Sequence, residues 1–321
     1  MPELPEVETV CRQLDPEIAG LRIAALEIFD ERWSRPVPKA ELEAAVAGSR
    51  IEGLERRGKY LLLRLDGERT LVMHLRMTGN LVLVERQGSG SVGGDGFADG
   101  EASDEAGALA KLDPSEGRRL YEGERSTSER HLRARFTFED GRELWFTDPR
   151  RFGEVFLVDE DELEARFERL GVEPFSEEFT AEALAEMASG RRVPLKSFLL
   201  DQSGVAGVGN IYADEALFRA RLHPLSPAGS MRPEHHEALR EGVIEALEAG
   251  IDGGGASIDD YRDGRGERGT MQERFLVHTR EGEPCPSCGE PITRIVVSGR
   301  STYYCPSCQI RLRRRPRRRS A

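Results

Sequence analysis

The sequence contains little lysine, little cysteine and no long apolar run, and each shortage excludes a class of protein. Lysine occurs only at Lys39, Lys59, Lys111 and Lys196, so nearly all of the 46 basic residues are arginines. The five cysteines are too few for a disulfide framework, and four of them form two C-x-x-C pairs near the C-terminus. No segment of the 321 residues has the pattern of a transmembrane helix or a signal peptide. We therefore expect a soluble, intracellular protein with more than one domain.

The net charge alone argues against a nucleic-acid partner. It is −12, from 46 basic and 58 acidic residues, whereas proteins that bind nucleic acid usually carry a basic footprint. The preference for arginine argues the other way, because arginine is the better partner for phosphate and stacks on planar groups. One interpretation is an acidic surface adapted to high salt around a binding face that stays positive.

The first ten residues, MPELPEVETV, have two interpretations. Removal of Met1 would leave Pro2 as a free secondary amine beside Glu3, and α-amino groups titrate at about 7.7–8.0, so such an amine can be a neutral nucleophile. The alternative is an ordinary helix N-terminus, with Pro5 in the first turn and acidic residues facing the helix dipole. Apolar residues at helical spacing predict a helix over residues 5–18 in either case.

Short apolar segments separated by turns follow, and this pattern predicts a β-sandwich. The predicted strands cover residues 21–29, 51–54, 60–65, 70–73, 81–84, 132–138 and 144–147, with a helix at 40–46. Residues 86–130 are rich in Gly, Ser, Asp and Glu, and we expect them to form a long mobile loop inserted in the sheet.

The second half of the chain is predicted to be helical. Helices are expected at residues 161–170, 181–189, 195–202, 211–221 and 233–249, with a domain joint at 171–174 and a flexible loop at 263–269. The glycines of segment 203–210 occur in the order G-x-x-G-x-G after a predicted helix, which does not match a dinucleotide-binding loop. The segment fits a helix-turn-helix connector whose following helix start presents backbone N–H groups to a DNA phosphate.

Several polar and apolar residues near predicted turns have both an ordinary and a functional interpretation. Lys59 before a buried strand is either a strand-end lysine with its stem on apolar surface or a functional cation. Met77 either packs against the protein core or is inserted between the stacked bases of DNA. Arg150 and Phe152 either form a salt-bridged corner or fill the gap left by an extruded base. Arg300 is predicted at a hairpin tip, where it could meet phosphate or simply be solvated.

The cysteine pattern C-x2-C-x16-C-x2-C is the most specific local signal. Cysteine fills all four positions, at Cys285, Cys288, Cys305 and Cys308, which predicts a closed, structural zinc site. Strands at 292–297 and 302–304 should form a hairpin between the two pairs. The tail at 311–321 carries seven arginines, as a disordered basic arm or a solubilising end.

Together, several motifs resemble those of the bacterial formamidopyrimidine-DNA glycosylases, the family that also holds endonuclease VIII. They are MPELPEVETV, RRGKYLLL, HLRMTGNL, TDPRRFG, GVAGVGNIYADE and the four-cysteine finger with GRSTYYC. The resemblance covers nearly the whole chain except residues 86–130 and the arginine tail. It implies an α+β multidomain fold, with an N-terminal β-sandwich and flanking helices at 1–170, a helix–two-turn–helix domain at 175–280, a zinc-finger β-hairpin at 281–310 and a basic tail at 311–321.

The resemblance implies a bifunctional DNA glycosylase and AP lyase of base excision repair. Its expected substrates are oxidised purines, namely 8-oxoguanine and formamidopyrimidines. In this interpretation the Pro2 amine displaces the base and forms a Schiff base with the sugar, and Glu3 donates a proton to the opening sugar ring. Lys59 assists β-elimination, and Arg300 assists δ-elimination at the other phosphate.

The resemblance also implies contacts to DNA. The residues that would fill the gap left in the base stack by the flipped nucleotide are Met77, Arg150 and Phe152. The residues that match contacts to the DNA backbone are His131, Arg192 and Asn210. Segment 263–272 corresponds to the part that closes over the flipped base, although Met271 stands where an aromatic residue is frequent. Leu4 in place of glycine and the Met/Arg/Phe trio favour oxidised purines over oxidised pyrimidines.

The expected cofactor is one structural zinc ion, and the expected partner is damaged double-stranded DNA. We expect no membrane, no small-molecule cofactor and a monomer in the bacterial cytosol, associated with the nucleoid. The alternative from another class is a zinc-ribbon protein that binds nucleic acid without chemistry. Such a protein would keep the cysteines and the helical connector but would have no use for Pro2 and Glu3.

Overall fold

A computed structural model describes residues 1–84 and 129–313. The predicted loop at 86–130 lies outside the described residues except for its last two, which open a 3₁₀ helix at Glu129–His131. The tail is described only as far as residue 313. The helices are α1 Leu4–Ile18, α2 Lys39–Val46, α3 Glu160–Phe167, α4 Ala181–Ala188, α5 Leu195–Leu200, α6 Asn210–Arg219 and α7 Pro233–Asp252. The strands are β1 Ile23–Ile28, β2 Ile51–Arg57, β3 Tyr60–Leu65, β4 Arg69–His74, β5 Asn80–Val84, β6 Leu132–Phe138, β7 Glu143–Thr147, β8 Glu154–Val158, β9 Thr293–Val297 and β10 Arg300–Tyr304.

The N-terminal half is a sandwich of two antiparallel four-stranded sheets. Their strand orders are β1-β6-β7-β5 and β2-β3-β4-β8. Strands β3 and β4 read as nearly continuous apolar runs because both of their faces are covered. One face contributes Leu61, Leu63 and Leu71 to the core between the sheets, and the other packs Leu62 and Val72 beneath α3.

Helix α1 lies between the two hydrophobic cores of the protein. Val7, Val10 and Leu14 belong to the core of the sandwich, together with residues of α2. Leu4, one turn earlier, belongs instead to the core of the helical half, which α4, α5, α6 and α7 build. The first turn of α1 is therefore fixed by both halves, and this position decides where Pro2 and Glu3 lie.

A salt-bridged turn holds the sandwich to the start of the helical half. Arg56 binds Glu8 at 2.6 Å and Glu173 at 2.8 Å, and Arg57 binds Glu173 at 3.0 Å. The Gly171 N–H donates to the carbonyl of Gln202, so segment 171–174 contacts both sides. The segment therefore contacts both halves of the protein.

The four-cysteine hairpin, formed by β9 and β10, is anchored on the end of α6. The Gln309 side chain joins the carbonyl of Leu222 to the N–H of Cys305. Tyr304 packs edge-on against His223, with 4.4 Å between the ring centroids.

Most predicted elements are present, with three differences. Strand β8 was not predicted from the sequence, and it completes the second sheet beside β4. Strand β2 runs through Arg56 and Arg57, which were predicted to form a turn. Segment 263–269 is irregular as predicted but packs closely, since Asp263 is 6% exposed and accepts a hydrogen bond from Gln13 of α1.

Candidate active site

The side chain of Glu3 caps a helix that begins more than two hundred residues later. Its Oε1 accepts a hydrogen bond from the N–H of Ile211 at 3.0 Å, and its Oε2 accepts one from the N–H of Tyr212 at 3.3 Å. Helix α6 has no side-chain cap on its own N-cap residue, Gly209. The first N–H groups of a helix lack partners within the helix and form the positive end of its dipole, so they favour a carboxylate. Glu3, 2% exposed, is thereby fixed against the helical half.

The glycines of the connector are needed for this close approach. A Cβ on Gly209 would lie 2.2 Å from Cδ of Glu3. Gly207 has φ +83°, and a Cβ there would lie 2.6 Å from Leu4 Cδ1. The Leu4 N–H donates to the Gly207 carbonyl at 3.0 Å. From the sequence, the N–H groups of this helix start were expected to face a DNA phosphate, and two of them instead bind Glu3.

A second carboxylate lies directly behind Glu3. Glu6 is 1% exposed and accepts hydrogen bonds from the Glu3 N–H at 2.8 Å, the Tyr212 hydroxyl at 2.6 Å and the Ala256 N–H at 2.8 Å. Burial, followed by the negative charge of Glu3, raises the pKa of Glu6 from 4.5 to about 7 despite these donors. Sequence reasoning missed Glu6, although it belongs to the same opening motif.

Lys59 lies in the same cluster. It is 7% exposed, and its Nζ donates to the Val208 carbonyl at 3.0 Å, within the connector that precedes the helix capped by Glu3. Gln202 donates to the same carbonyl at 2.8 Å. Burial lowers the pKa of Lys59, and the nearby positive charge of Arg300 lowers it further, whereas Glu3 acts in the opposite direction. The side chain is therefore not a solvated strand-end lysine.

The hairpin tip brings Arg300 towards this cluster. Arg300 is exposed and begins β10, directly after Ser298 and Gly299. The Asn210 side-chain amide donates to the Ser301 carbonyl at 3.0 Å, so the first residue of α6 is bound to the hairpin. Glu3, Lys59 and the hairpin that carries Arg300 thus meet at or just before the start of α6, and Pro2 directly precedes Glu3.

A buried charged chain lies behind α6, and sequence reasoning missed it. Lys196 is fully buried, and its Nζ contacts the Asn210 carbonyl at 2.6 Å and Asp214 at 2.7 Å. The other oxygen of Asp214 lies 2.8 Å from Nδ1 of His278, whose ring packs edge-on against Tyr303 of β10. The only available signal was a rare lysine within an apolar helix.

Two neighbouring loops, at residues 75–79 and 148–153, carry the residues predicted to enter the DNA stack, and we call them the wedge loops. Asp148, fully buried, accepts hydrogen bonds from the N–H groups of Phe152 at 2.7 Å and Gly153 at 2.8 Å, and from the Thr78 hydroxyl of the other loop. Met77 is 39% and Phe152 50% exposed. The guanidinium of Arg150 lies 4.9 Å from the Phe152 ring centroid, so the two side chains form one projecting unit.

The three predicted backbone contacts are dispersed. The carbonyl of His131 accepts from the Asp148 N–H at 2.8 Å, which places it beside the wedge loops. Asn210 lies at the start of α6. Arg192 is exposed in the loop between α4 and α5, and within residues 1–84 and 129–313 no hydrogen bond or ion pair joins it to the other predicted residues.

The four cysteines form a structural site for one zinc ion. Their Sγ atoms all lie within 4.8 Å of one another, with 3.8 Å between Cys285 and Cys308 and 3.5 Å between Cys288 and Cys305. Tetrahedral zinc with Zn–S bonds of about 2.3 Å requires sulfur–sulfur distances of about 3.8 Å. The donor set and its spacing therefore fit zinc. The ion would close the base of the hairpin whose tip carries Arg300.

Three family models match consecutive parts of the chain. They are the formamidopyrimidine-DNA glycosylase N-terminal domain over residues 1–155, the H2TH domain of the same glycosylases over 170–262, and the zinc finger found in FPG and IleRS over 282–310. None of the helices in the described ranges combines the length and apolar character needed to cross a membrane.

Curated relatives match along almost their full length. The formamidopyrimidine-DNA glycosylase of Chloroflexus aurantiacus is 43% identical over 314 residues, covering 97% of this chain and 98% of the relative. That of Roseiflexus sp. is 39% identical over 312 residues, covering 96% and 100%.

Solved structures agree with these relatives. The MutM (FPG) protein of Thermus thermophilus has a TM-score of 0.74 at 38% identity, covering 96% of this chain and 98% of that one. A Lactococcus lactis FPG mutant in complex with DNA containing Fapy-dG has a TM-score of 0.78 at 32% identity, covering 96% and 99%.

Proposed function

The chain belongs to the formamidopyrimidine-DNA glycosylase family, and from this premise we propose that it is a bifunctional DNA glycosylase and AP lyase of base excision repair. Its substrates are oxidised purines in double-stranded DNA, 8-oxoguanine and formamidopyrimidines. The observation that carries the proposal is the position of Glu3, which is buried next to Pro2 and hydrogen-bonded to the first turn of α6. A secondary amine can form an iminium ion with the sugar carbon, and an adjacent carboxylate can accept and return the proton that this step requires.

In the proposed reaction, Pro2 acts after Met1 has been removed. The nitrogen lone pair attacks the anomeric carbon, and the electrons of the glycosidic bond leave with the base. Glu3 takes the proton that the amine loses and passes it to the ring oxygen as the sugar opens, which leaves a covalent Schiff base on Pro2. The exposure of Met1, 39% against a buried Pro2, supports removal of the first residue.

Lys59 and Arg300 serve the strand-cleavage steps. The Schiff base acidifies the adjacent C–H, and loss of that proton expels one phosphate by β-elimination. A second proton loss along the conjugated product expels the other phosphate by δ-elimination. Lys59 is suited to proton transfer, because burial and the charge of Arg300 lower its pKa below that of an ordinary lysine. Arg300, exposed at the hairpin tip, is suited to bind and stabilise the departing phosphate.

The wedge loops would occupy the space that the flipped nucleotide leaves. Met77, Arg150 and Phe152 are suited to this role because they project from two loops that Asp148 ties together. His131, Arg192 and Asn210 would bind the DNA backbone. These contacts fix the register of the duplex so that one nucleotide faces Pro2.

The remaining expectations are part of the same proposal. The protein acts as a monomer without a small-molecule cofactor, and its domain limits lie near residues 170 and 280. Met271 does not line the site for the base, because it is fully buried in the core of the helical half. Discrimination between lesions is therefore assigned to other residues of segment 263–272.

The test is covalent trapping on a duplex that contains one 8-oxoguanine. With borohydride present, the wild-type protein should give an adduct that peptide mapping places on Pro2, and intact mass should show that Met1 is absent. The Glu3→Gln variant should lose the adduct, because it cannot accept the amine proton.

Glu8→Gln is the matched control, since Glu8 lies on the same helix but pairs with Arg12 and Arg56. It should keep the adduct. Retention of Met1, or a wild-type protein that binds the duplex without forming an adduct, would favour a DNA-binding protein without chemistry.

A further inference from the structure

The hairpin tip that carries Arg300 is attached to the helical half on both sides of that residue. Before it, the hydroxyl of Ser298 lies 2.8 Å from the hydroxyl of Ser197, on α5. After it, the carbonyl of Ser301 accepts the amide of Asn210 at 3.0 Å. Two separate helices therefore hold a tip that would otherwise project freely from the zinc site.

The tip itself is a tight, well-defined turn. Arg300 pairs with Val297 across it, so only Ser298 and Gly299 form the loop. Both have positive φ, 49° and 77°, as a two-residue type I′ hairpin requires. A rigid turn transmits a restraint at Ser298 to the backbone of Arg300, two residues later.

Charge alone does not fix the position of the tip. Burial lowers the pKa of Lys59, the negative charge of Glu3 opposes this, and the positive charge of Arg300 lowers the pKa further, so Arg300 and Lys59 repel each other while Glu3 attracts Lys59. In the described ranges, no carboxylate forms an ion pair with either of them. The contacts that attach the tip to the helical half on either side of Arg300 are the uncharged hydrogen bonds of Ser298 and Ser301.

We propose that Ser197 and Ser298 are positioning residues for Arg300, and that their hydroxyl pair, the tip latch, holds the guanidinium where the second phosphate departs. The inference rests on the proposed function, because it concerns only the δ-elimination step. Neither serine touches the reacting atoms. Base removal and β-elimination depend on Pro2, Glu3 and Lys59, which the latch does not contact.

The experiment is a single-turnover reaction on a duplex with one 8-oxoguanine, in which the β- and δ-elimination products are separated. Ser197→Ala and Ser298→Gly should each lower the ratio of δ to β product by about two- to tenfold, the range for losing one uncharged hydrogen bond. Glycine at position 298 keeps the positive φ, so the turn remains intact. The double variant should lose no more than either single variant, because both changes remove the same contact.

Ser197→Thr, which retains a hydroxyl, should restore the ratio. Thr293→Val is the matched control, because Thr293 pairs with Tyr304 at the far end of the same hairpin. Base release and the borohydride adduct should stay at the wild-type level throughout, which a general loss of folding would not allow.

Two results would overturn the inference in distinguishable ways. If both single variants keep the wild-type ratio of δ to β product while Arg300→Ala loses the δ product, the tip latch does not position Arg300 and the proposed function stands. If the wild-type protein forms no adduct, the proposed function fails and the inference falls with it.

Discussion

Glu6 should control how the stability of the protein depends on pH. Its pKa is about 7 in the folded chain, against 4.5 for an ordinary glutamate, because burial and the charge of Glu3 disfavour the ionised form. Between these two values the folded protein retains a proton that the unfolded chain has lost. The free energy of unfolding should therefore fall by about 1.4 kcal/mol per pH unit as pH rises from 4.5, and level off above pH 7. Over the full pH range, the ionisation of Glu6 lowers the free energy of unfolding by about 3 kcal/mol.

Glu6→Gln removes this contribution because glutamine does not titrate. Urea denaturation of the wild type and the variant should be compared at pH 5, 6, 7 and 8, at constant salt and with zinc bound. The wild type should lose about 2.5 kcal/mol more than the variant across this range, because a small part of the loss occurs below pH 5. At low pH the variant should be the less stable protein, because its amide places a donor against the Glu3 N–H, which is itself a donor.

Glu8→Gln is the control on the same helix. Although burial opposes it, hydrogen bonds from Arg56 and Arg12 lower the pKa of Glu8, so its contribution is lost only as pH falls below about 4.5. This variant should parallel the wild type from pH 5 to 8. If the Glu6→Gln profile also runs parallel to the wild type, Glu6 is not a buried titrating group and the reasoning is refuted.

Three further outcomes are expected. Gly209→Ala should abolish the covalent adduct and lower the free energy of unfolding by about 1–3 kcal/mol, since its Cβ would lie 2.2 Å from Glu3 Cδ. Gly204→Ala should be tolerated, because the nearest contact of its Cβ is at 3.5 Å, and equal activity of the two variants would contradict this reasoning. Zinc removal by a chelator should abolish DNA binding without changing tryptophan fluorescence, because both tryptophans are buried in the sandwich. If the fluorescence changes together with DNA binding, the zinc finger also stabilises the sandwich. Asp148→Ala should weaken binding to an abasic duplex by about tenfold or more, because the N–H of Phe152 loses its acceptor, and unchanged affinity would exclude the wedge loops from the interface.

Local patterns predicted most of the fold because most elements have one apolar face. Strand β8 escaped prediction because its sequence, EVFLV, is a short apolar run whose structure periodicity alone does not decide, and its pairing with β4 joins segments about 80 residues apart. The prediction ended strand β2 at residue 54, too early, because Arg56 and Arg57 have the polar character of turn residues. Their charges are compensated by Glu173, more than a hundred residues away, and no local pattern contains that information.

The candidate site was predictable as a set of residues but not as a network. The opening motif and the segment RRGKYLLL, through their resemblance to a family, predicted Pro2, Glu3 and Lys59 as site residues, and that assignment stays a prediction. That Glu3 would cap α6 could not be predicted, because the contact joins residues 208 positions apart. The same holds for the buried pair of Lys196 and Asp214, whose partners come together only when the helices pack.

The cap on α6 also sets a time at which the proposed nucleophile can become reactive. During synthesis, Pro2 and Glu3 leave the ribosome first, but Ile211, which binds the Glu3 carboxylate, follows 208 residues after Glu3. At about 5–20 residues per second, the interval is on the order of ten to forty seconds. Throughout it the nascent chain carries the amine without the oriented carboxylate that would activate it. The carboxylate of Glu3 therefore gains its fixed position beside Pro2 only once about two thirds of the chain has been translated.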